Sequence, residues 1–331
     1  MNLHDLVEAS DIAGLLRHVD LRVKDRDWAE VLETGIRCRA AIERGKQLGG
    51  VTQYVEYRMA LDAPAPLAAS VVEEGGGRST LGPLWEVMAS THTWEDLEPW
   101  LEPGRVRMMV AHERSLRGDV VADTEADGSP LVTPLAVEEW EPTYPPAEYR
   151  PDGADFPTPP AVALTALQLG QDSDVMEDVE SEDALFELVR PWVDQSNGAA
   201  GIACIEGTAE AAITALGASA AEGSDVQFDV ALSHMTWAAA SGGAYGTRRG
   251  NPVGRSHAWY AASTLLDIDP AELPVAHQSA RWLLWRSPGQ TSGWEFGLAA
   301  EHGGFAWALY AHDRIDDDSE TGAHHDGATG S

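Results

Sequence analysis

Nine prolines fall between Pro130 and Pro160, in the stretch GSPLVTPLAVEEWEPTYPPAEYRPDGADFPTPP. Each removes a backbone donor and biases the residue before it away from helix, so no regular element of ordinary length crosses this segment. Folded structure must therefore form on either side of it. Charge marks the same region: residues 119–185 hold one base against 17 acids, half of the net −32 carried by the 331-residue chain. The apolar residues Leu135, Val137, Trp140, Tyr144, Tyr149 and Phe156 are too many for a solvated spacer. Parts of the segment are expected to strap across a folded surface.

Residues 1–118 read as helix throughout. Trp28, Val31, Leu32 and Ile36 recur at helical spacing, as do Tyr54, Tyr57 and Leu61, with short connections marked by Gly45, Gly49–Gly50, Pro64 and Pro66. A short stack of antiparallel helix pairs is expected, without a demonstrable sequence repeat. In THTWEDLEPWL, Asp96 follows Thr93 by three residues, the spacing of a capping box. In GRVRMMVAHERSLRGD, advancing about 100° per residue from Val106 groups Met109, Val110 and Leu116 on one stripe, with Glu113 inside it and Arg117 one turn on. A lone buried carboxylate is costly, so a structural Glu113–Arg117 ion pair is expected ahead of a catalytic carboxylate.

Residues 184–312 mix element types. GIACIEG has the composition of a strand and TAEAAITALG that of a short helix, while DVQFDVALSHMTWAAASGG and GRSHAWYAASTLLDI read as longer helices. The period then changes to two: Trp282 and Leu284, then Trp294, Phe296 and Leu298, then Phe305, Trp307 and Leu309. Closing hairpins over 287–293 and 301–304 sets Leu284 opposite Phe296 and Leu298 opposite Trp307, all on one face of a three-stranded antiparallel sheet. The expected fold class is α+β. It comprises a mostly helical N-terminal domain (1–118, a short helix-pair stack), an acidic Pro-rich linker (119–183), a C-terminal domain of helices packed on an antiparallel sheet (184–312), and a polar tail (313–331) expected to be disordered.

Between the two longer helices lies SGGAYGTRRGNPVGR (241–255). Gly246 and Gly250 permit close backbone approach, Arg248, Arg249 and Arg255 supply fork-shaped donors, and the following helix start, expected at Pro252 or Gly254, offers free N–H groups. Gly242–Gly243 are expected to end the preceding helix. The combination suits a phosphate, a carboxylate or a negatively charged partner, with His257 as the nearest candidate general base. A structural reading weighs against it: the same arginines can pair with the chain's own surplus carboxylates. The pattern lacks the lysine of a phosphate-binding P-loop, and no strand precedes it as a dinucleotide fingerprint requires.

The remaining composition sets negative expectations. An acid excess repels nucleic acid and anionic membrane, so neither is an expected partner. Cys38 and Cys204 have neither disulfide-framework nor metal-site spacing, and no metal or cofactor is expected; His324–His325 sit in the polar tail. No basic segment leads into an apolar run and no stretch of about 18 apolar residues occurs, so a cytoplasmic location is expected.

STHTWEDLEPWL, AHERSLRGDV, WAAASGGAYGTRRG, ARWLLWRS and GWEFGLAAEHGGFAWAL together resemble an uncharacterised protein family of GC-rich bacteria, a domain of unknown function. The resemblance spans most of the chain apart from the tail and parts of the linker, and implies no catalytic residue. The expected function is that of a non-enzymatic interaction or ligand-binding protein that docks another protein or a small anion on the arginine loop. The alternative is an enzyme acting on a phosphorylated or carboxylated small molecule.

Overall fold

The computed structural model describes residues 2–74, 78–79, 81–122, 129, 131–171, 173–289 and 293–314. Five helices open the chain: α1 (Leu3–Ala9), α2 (Ile12–Lys24), α3 (Trp28–Glu43), α4 (Gly49–Asp62) and α5 (Ala65–Glu74). Asn2, Asp11 and Asp27 each accept a hydrogen bond from the backbone N–H three residues on, which satisfies donors that the first helical turn leaves open. A two-stranded turn, β1 (Arg78–Ser79) and β2 (Gly82–Pro83), leads to α6 (Leu84–Thr91), α7 (Trp94–Leu97) and α8 (Arg105–Leu116). The Thr93–Asp96 capping box forms at the start of α7. Apolar stripes of these helices meet in successive layers. Leu6, Leu15, Cys38 and Leu48 form one, Val19, Val31, Val55 and Met59 the next, and Tyr57, Leu84, Val87, Leu97 and Val110 the third.

The proline-rich segment belongs to both halves of the molecule. Leu135, Ala147 and Tyr149 are buried in the third helical layer, whereas Tyr144 is buried in the C-terminal core beside Trp192 and Trp259. A small hairpin, β3 (Glu148–Arg150) with β4 (Gly153–Asp155), turns the chain, and β5 (Thr165–Ala166) reaches the edge of the main sheet. Prolines are tolerated here because the backbone is extended and most of its pairing is to side chains of other elements.

The C-terminal half contains α9 (Val179–Glu187), α10 (Arg190–Asp194), β6 (Ala199–Glu206), α11 (Ala209–Ala215), β7 (Glu222–Val226), α12 (Phe228–Ala240), α13 (Asn251–Leu265), α14 (Leu273–Ala276), β8 (Arg281–Arg286), β9 (Trp294–His302) and β10 (Phe305–Asp313). The fold is α+β, and the three strands expected from the period-two pattern are part of a six-stranded antiparallel sheet, in the order β5-β7-β8-β9-β10-β6. GIACIEG forms the expected strand, as β6, but its place in this sheet and the strands β5 and β7 were not legible, for a physical reason. β7 reads EGSDV, with no apolar alternation, and β6 joins at the far edge through a partner about a hundred residues later in the chain.

Register departs from expectation by two residues in both hairpins. Leu298 faces Leu309 rather than Trp307, and Leu284 faces Leu298 rather than Phe296. The second turn closes over Gly303 and Gly304 alone, both with φ in the left-handed region (62° and 91°), which is the two-residue turn that matches strand twist. A shift of two preserves the face, so Trp282, Leu284, Phe296, Leu298, Trp307 and Leu309 still share the core with α9, α12 and α13. The opposite face, with Leu283, Trp285, Ala299 and Ala308, is covered by α11 through Ala212 and Ile213. β10 also runs through Asp313, whose buried carboxylate accepts from the Ala244 N–H, so Asp313 is not part of a disordered tail. Residues 315–331, including His324 and His325, lie outside the described residues.

Candidate functional site

The arginine loop lies between α12 and α13 and begins earlier than expected: Ser241, in an extended conformation, caps α12, and α13 starts at Asn251 with Gly250 as its cap. Gly250 has φ +93°, and a Cβ there would sit 2.5 Å from the Trp85 ring, so the loop backbone rests directly on α6. At Gly246 an added Cβ would lie 2.1 Å from the Gly242 carbonyl oxygen, so these two glycines let the loop fold back upon itself.

Each of the three arginines holds a carboxylate on a different element. Arg248 donates from Nε and Nη2 to both oxygens of Glu86 on α6, at 3.0 and 2.9 Å, and from Nη2 to Asn251 Oδ1. Glu86 is wholly buried and also accepts from the Tyr149 hydroxyl at 2.6 Å. Burial raises the Glu86 pKa, but the charge and hydrogen bonds of Arg248, the Tyr149 bond and the charge of Arg117 outweigh it, leaving the carboxyl below its ordinary value. Arg255 forks onto Glu141 at 2.7 and 2.5 Å and donates to the carbonyls of Pro134 and Ala136. Glu141 further accepts from Tyr144 and Trp259. Arg249 has the loosest setting, with its Nη1 3.1 Å from the Glu187 carbonyl and 3.5 Å from the Glu187 carboxylate.

The forks of Arg248 and Arg255 are thus turned onto internal carboxylates, and Arg249 commits its Nη1 in the same way. His257 stands near Arg249 with its pKa lowered, first by burial and then by the Arg249 charge. Glu113 is wholly buried, and Arg117 Nε donates to its Oε1 at 2.7 Å, the pair expected from the helical stripe. Its other oxygen has no hydrogen-bond partner among the described residues, and burial together with the neighbouring Glu86 charge pushes its pKa up to about 8. His112, off the apolar stripe by helical angle, is nonetheless buried, and its pKa is lowered to about 4, first by that burial and then by the Arg255 charge. Sequence reasoning missed Glu86 and Glu141. The signal for Glu86 was present, as it is the lone charge in the helix LWEVMAST.

A separate cleft of about 700 Å³ opens at the start of α12. Trp140 from the proline-rich segment stacks on His277 (centroids 4.7 Å, 15°) and on Phe228 (5.6 Å, 29°) at its floor. His277 Nδ1 lies 3.2 and 3.1 Å from the carbonyl oxygens of Leu273 and Pro274, so that edge carries the hydrogen, and Nε2 of this cleft-lining ring has no hydrogen-bond partner among the described residues. Gln227, Asp229, Gln278 and Arg281 form the polar rim. Among the described residues no cluster of His, Cys, Asp or Glu has the grouping to hold a metal ion, and no helix is long and apolar enough to cross a membrane.

The fold and these sites define an α+β protein whose basic loop, after the end of α12, is bound by internal carboxylates and whose aromatic-floored cleft opens at the other end of that helix. The chain belongs to a family described as "Family of unknown function (DUF6183)", whose model matches residues 13–307. No curated protein and no solved structure matches it.

Proposed function

We propose that this chain is a non-enzymatic ligand-binding protein and that its ligand occupies the cleft at the start of α12. The observation that carries the reading is the cleft itself: it has the size of a small-molecule site, an aromatic floor and a few polar groups in its lining, including an imidazole nitrogen without a partner among the described residues. The arginine loop, first weighed as an anion-binding or partner-binding site, then acts as the clamp that holds the helical half and the proline-rich segment to α13. Pairing of Arg248, Arg249 and Arg255 with internal carboxylates supports that role over docking of a small anion, and over an enzyme acting on a phosphorylated or carboxylated substrate.

The same reading places the protein in the cytoplasm of a GC-rich bacterium. Its support is the choice of Arg over Lys at 20 of 22 basic positions and two buried cysteines that remain free thiols. A fragment library screened by ligand-observed NMR tests the cleft. Fragments are expected to bind wild type and to lose binding in Gln278→Trp, which fills the cleft from an exposed rim position. Absence of any fragment that distinguishes the two proteins overturns the reading.

A further inference from the structure

We infer that the cleft at the start of α12 selects an organic ammonium ion, an inference that rests on the ligand-binding reading above. The charges at its rim decide the sign. Arg281 is the one arginine or lysine lining the cleft among the described residues, and all three of its guanidinium nitrogens bind carboxylate oxygens: Glu210 at 2.6 and 3.1 Å, Asp225 at 2.7 Å and Glu301 at 3.4 Å. One positive charge is therefore surrounded by three negative ones. Asp229, exposed in the first turn of α12, adds a fourth carboxylate and has no hydrogen-bond partner among the described residues. The partial positive charge at the start of α12, where Gln227 makes no side-chain cap, is offset by Asp229. An anion approaching this rim meets net negative charge and no free guanidinium fork; an ammonium ion meets an unpaired carboxylate.

Several other lining groups fit the same class, while the Trp140 and Trp282 indole N–H groups are buried away from the cleft space. Trp140 is partly exposed and lines the cleft with apolar ring surface, which suits the hydrocarbon part of such a ligand. His277 Nε2, with Nδ1–H committed to carbonyls, is a hydrogen-bond acceptor within a ring more than nine-tenths buried, and the Gln227 and Gln278 carboxamides provide further acceptors. Ammonium groups are donors without acceptor capacity, so each of these groups complements them.

Three probes of one shape and different charge test the inference on the full chain: benzylamine, benzyl alcohol and benzoate, titrated by calorimetry at neutral pH and physiological ionic strength, where non-specific surface attraction is screened. Benzylamine is expected to bind at least about tenfold more tightly than benzyl alcohol, with no binding of benzoate, and Asp229→Asn is expected to remove that advantage. Asp229 is exposed, so the variant folds as wild type does. Equal binding of the three probes, a preference for benzoate, or benzylamine affinity unchanged in Asp229→Asn overturns the ammonium class. If none of the probes binds while fragments still discriminate Gln278→Trp, the class falls and the cleft stands. If neither probes nor fragments bind, both readings fall.

Discussion

Arg248 and Glu86, 162 residues apart in sequence, meet in a two-pronged ion pair with both side chains out of solvent. The pair joins the loop before α13 to the face of α6, and Tyr149 and Asn251 complete the ring of donors around the carboxylate. A buried pair of this kind adds modestly to stability over an apolar substitute, but breaking it leaves a charge without compensation.

Glu86→Gln and Arg248→Ala are each expected to destabilise by about 3–5 kcal/mol in urea denaturation, through the orphaned partner. The double variant Glu86→Leu with Arg248→Met is expected to recover most of that loss. Additive losses in the double variant would show that the two side chains do not act as a pair.

The three arginines are expected to differ in cost. Arg255→Ala, at a pair with 1% and 0% side-chain exposure, should lose about 3–5 kcal/mol. Arg249→Ala, at a pair with 20% and 28% exposure, should lose about 1 kcal/mol or less. Phosphate and nucleotides are expected to leave the wild-type melting temperature unchanged, and a rise that disappears in Arg248→Ala with Arg249→Ala would instead identify the loop as an anion site.

Glu113 makes stability depend on pH. Its folded pKa is raised to about 8, above the ordinary 4.5, by burial and by the charge of Glu86, with Arg117 and Arg248 opposing. The folded state therefore holds more protons than the unfolded state between those values, and this contribution, full below the unfolded pKa, is lost as pH rises through the folded one. Relative to Glu113→Gln, wild type is expected to lose at most about 1.4 kcal/mol per pH unit across that window, measured by denaturation at matched ionic strength. A difference that does not change with pH would contradict it.

Gly250→Ala is expected to cost about 1–3 kcal/mol, because φ is positive and the new methyl meets the Trp85 ring. Thermal denaturation checks this, and a neutral substitution would mean that the loop does not rest on α6.

What the sequence made legible follows the range of the interaction. Glu113–Arg117 is an i, i+4 pair, so helical angle alone brings it together. The face of the sheet was legible because side chains alternate with period two, whereas register was not, since EHGG closes a hairpin over either four residues or its two glycines. The partners of Arg248 and Arg255 lie 162 and 114 residues away, beyond any local rule, and Trp140 gives no sign in sequence that it will stack on His277.

The distance between Glu86 and Arg248 also orders events on the ribosome. At roughly 5–20 residues per second, on the order of ten seconds separates the appearance of the acid from that of its base. Until then α6 carries a carboxyl that it can bury only in neutral form, and Leu135 and Tyr149, which complete the same layer, are made in the interval. The first helices can gather as they emerge, but α6 reaches its final seat only once the chain beyond Arg248 has been delivered. Only the third helical layer, around Glu86, is left to be completed by a residue encoded in the other half.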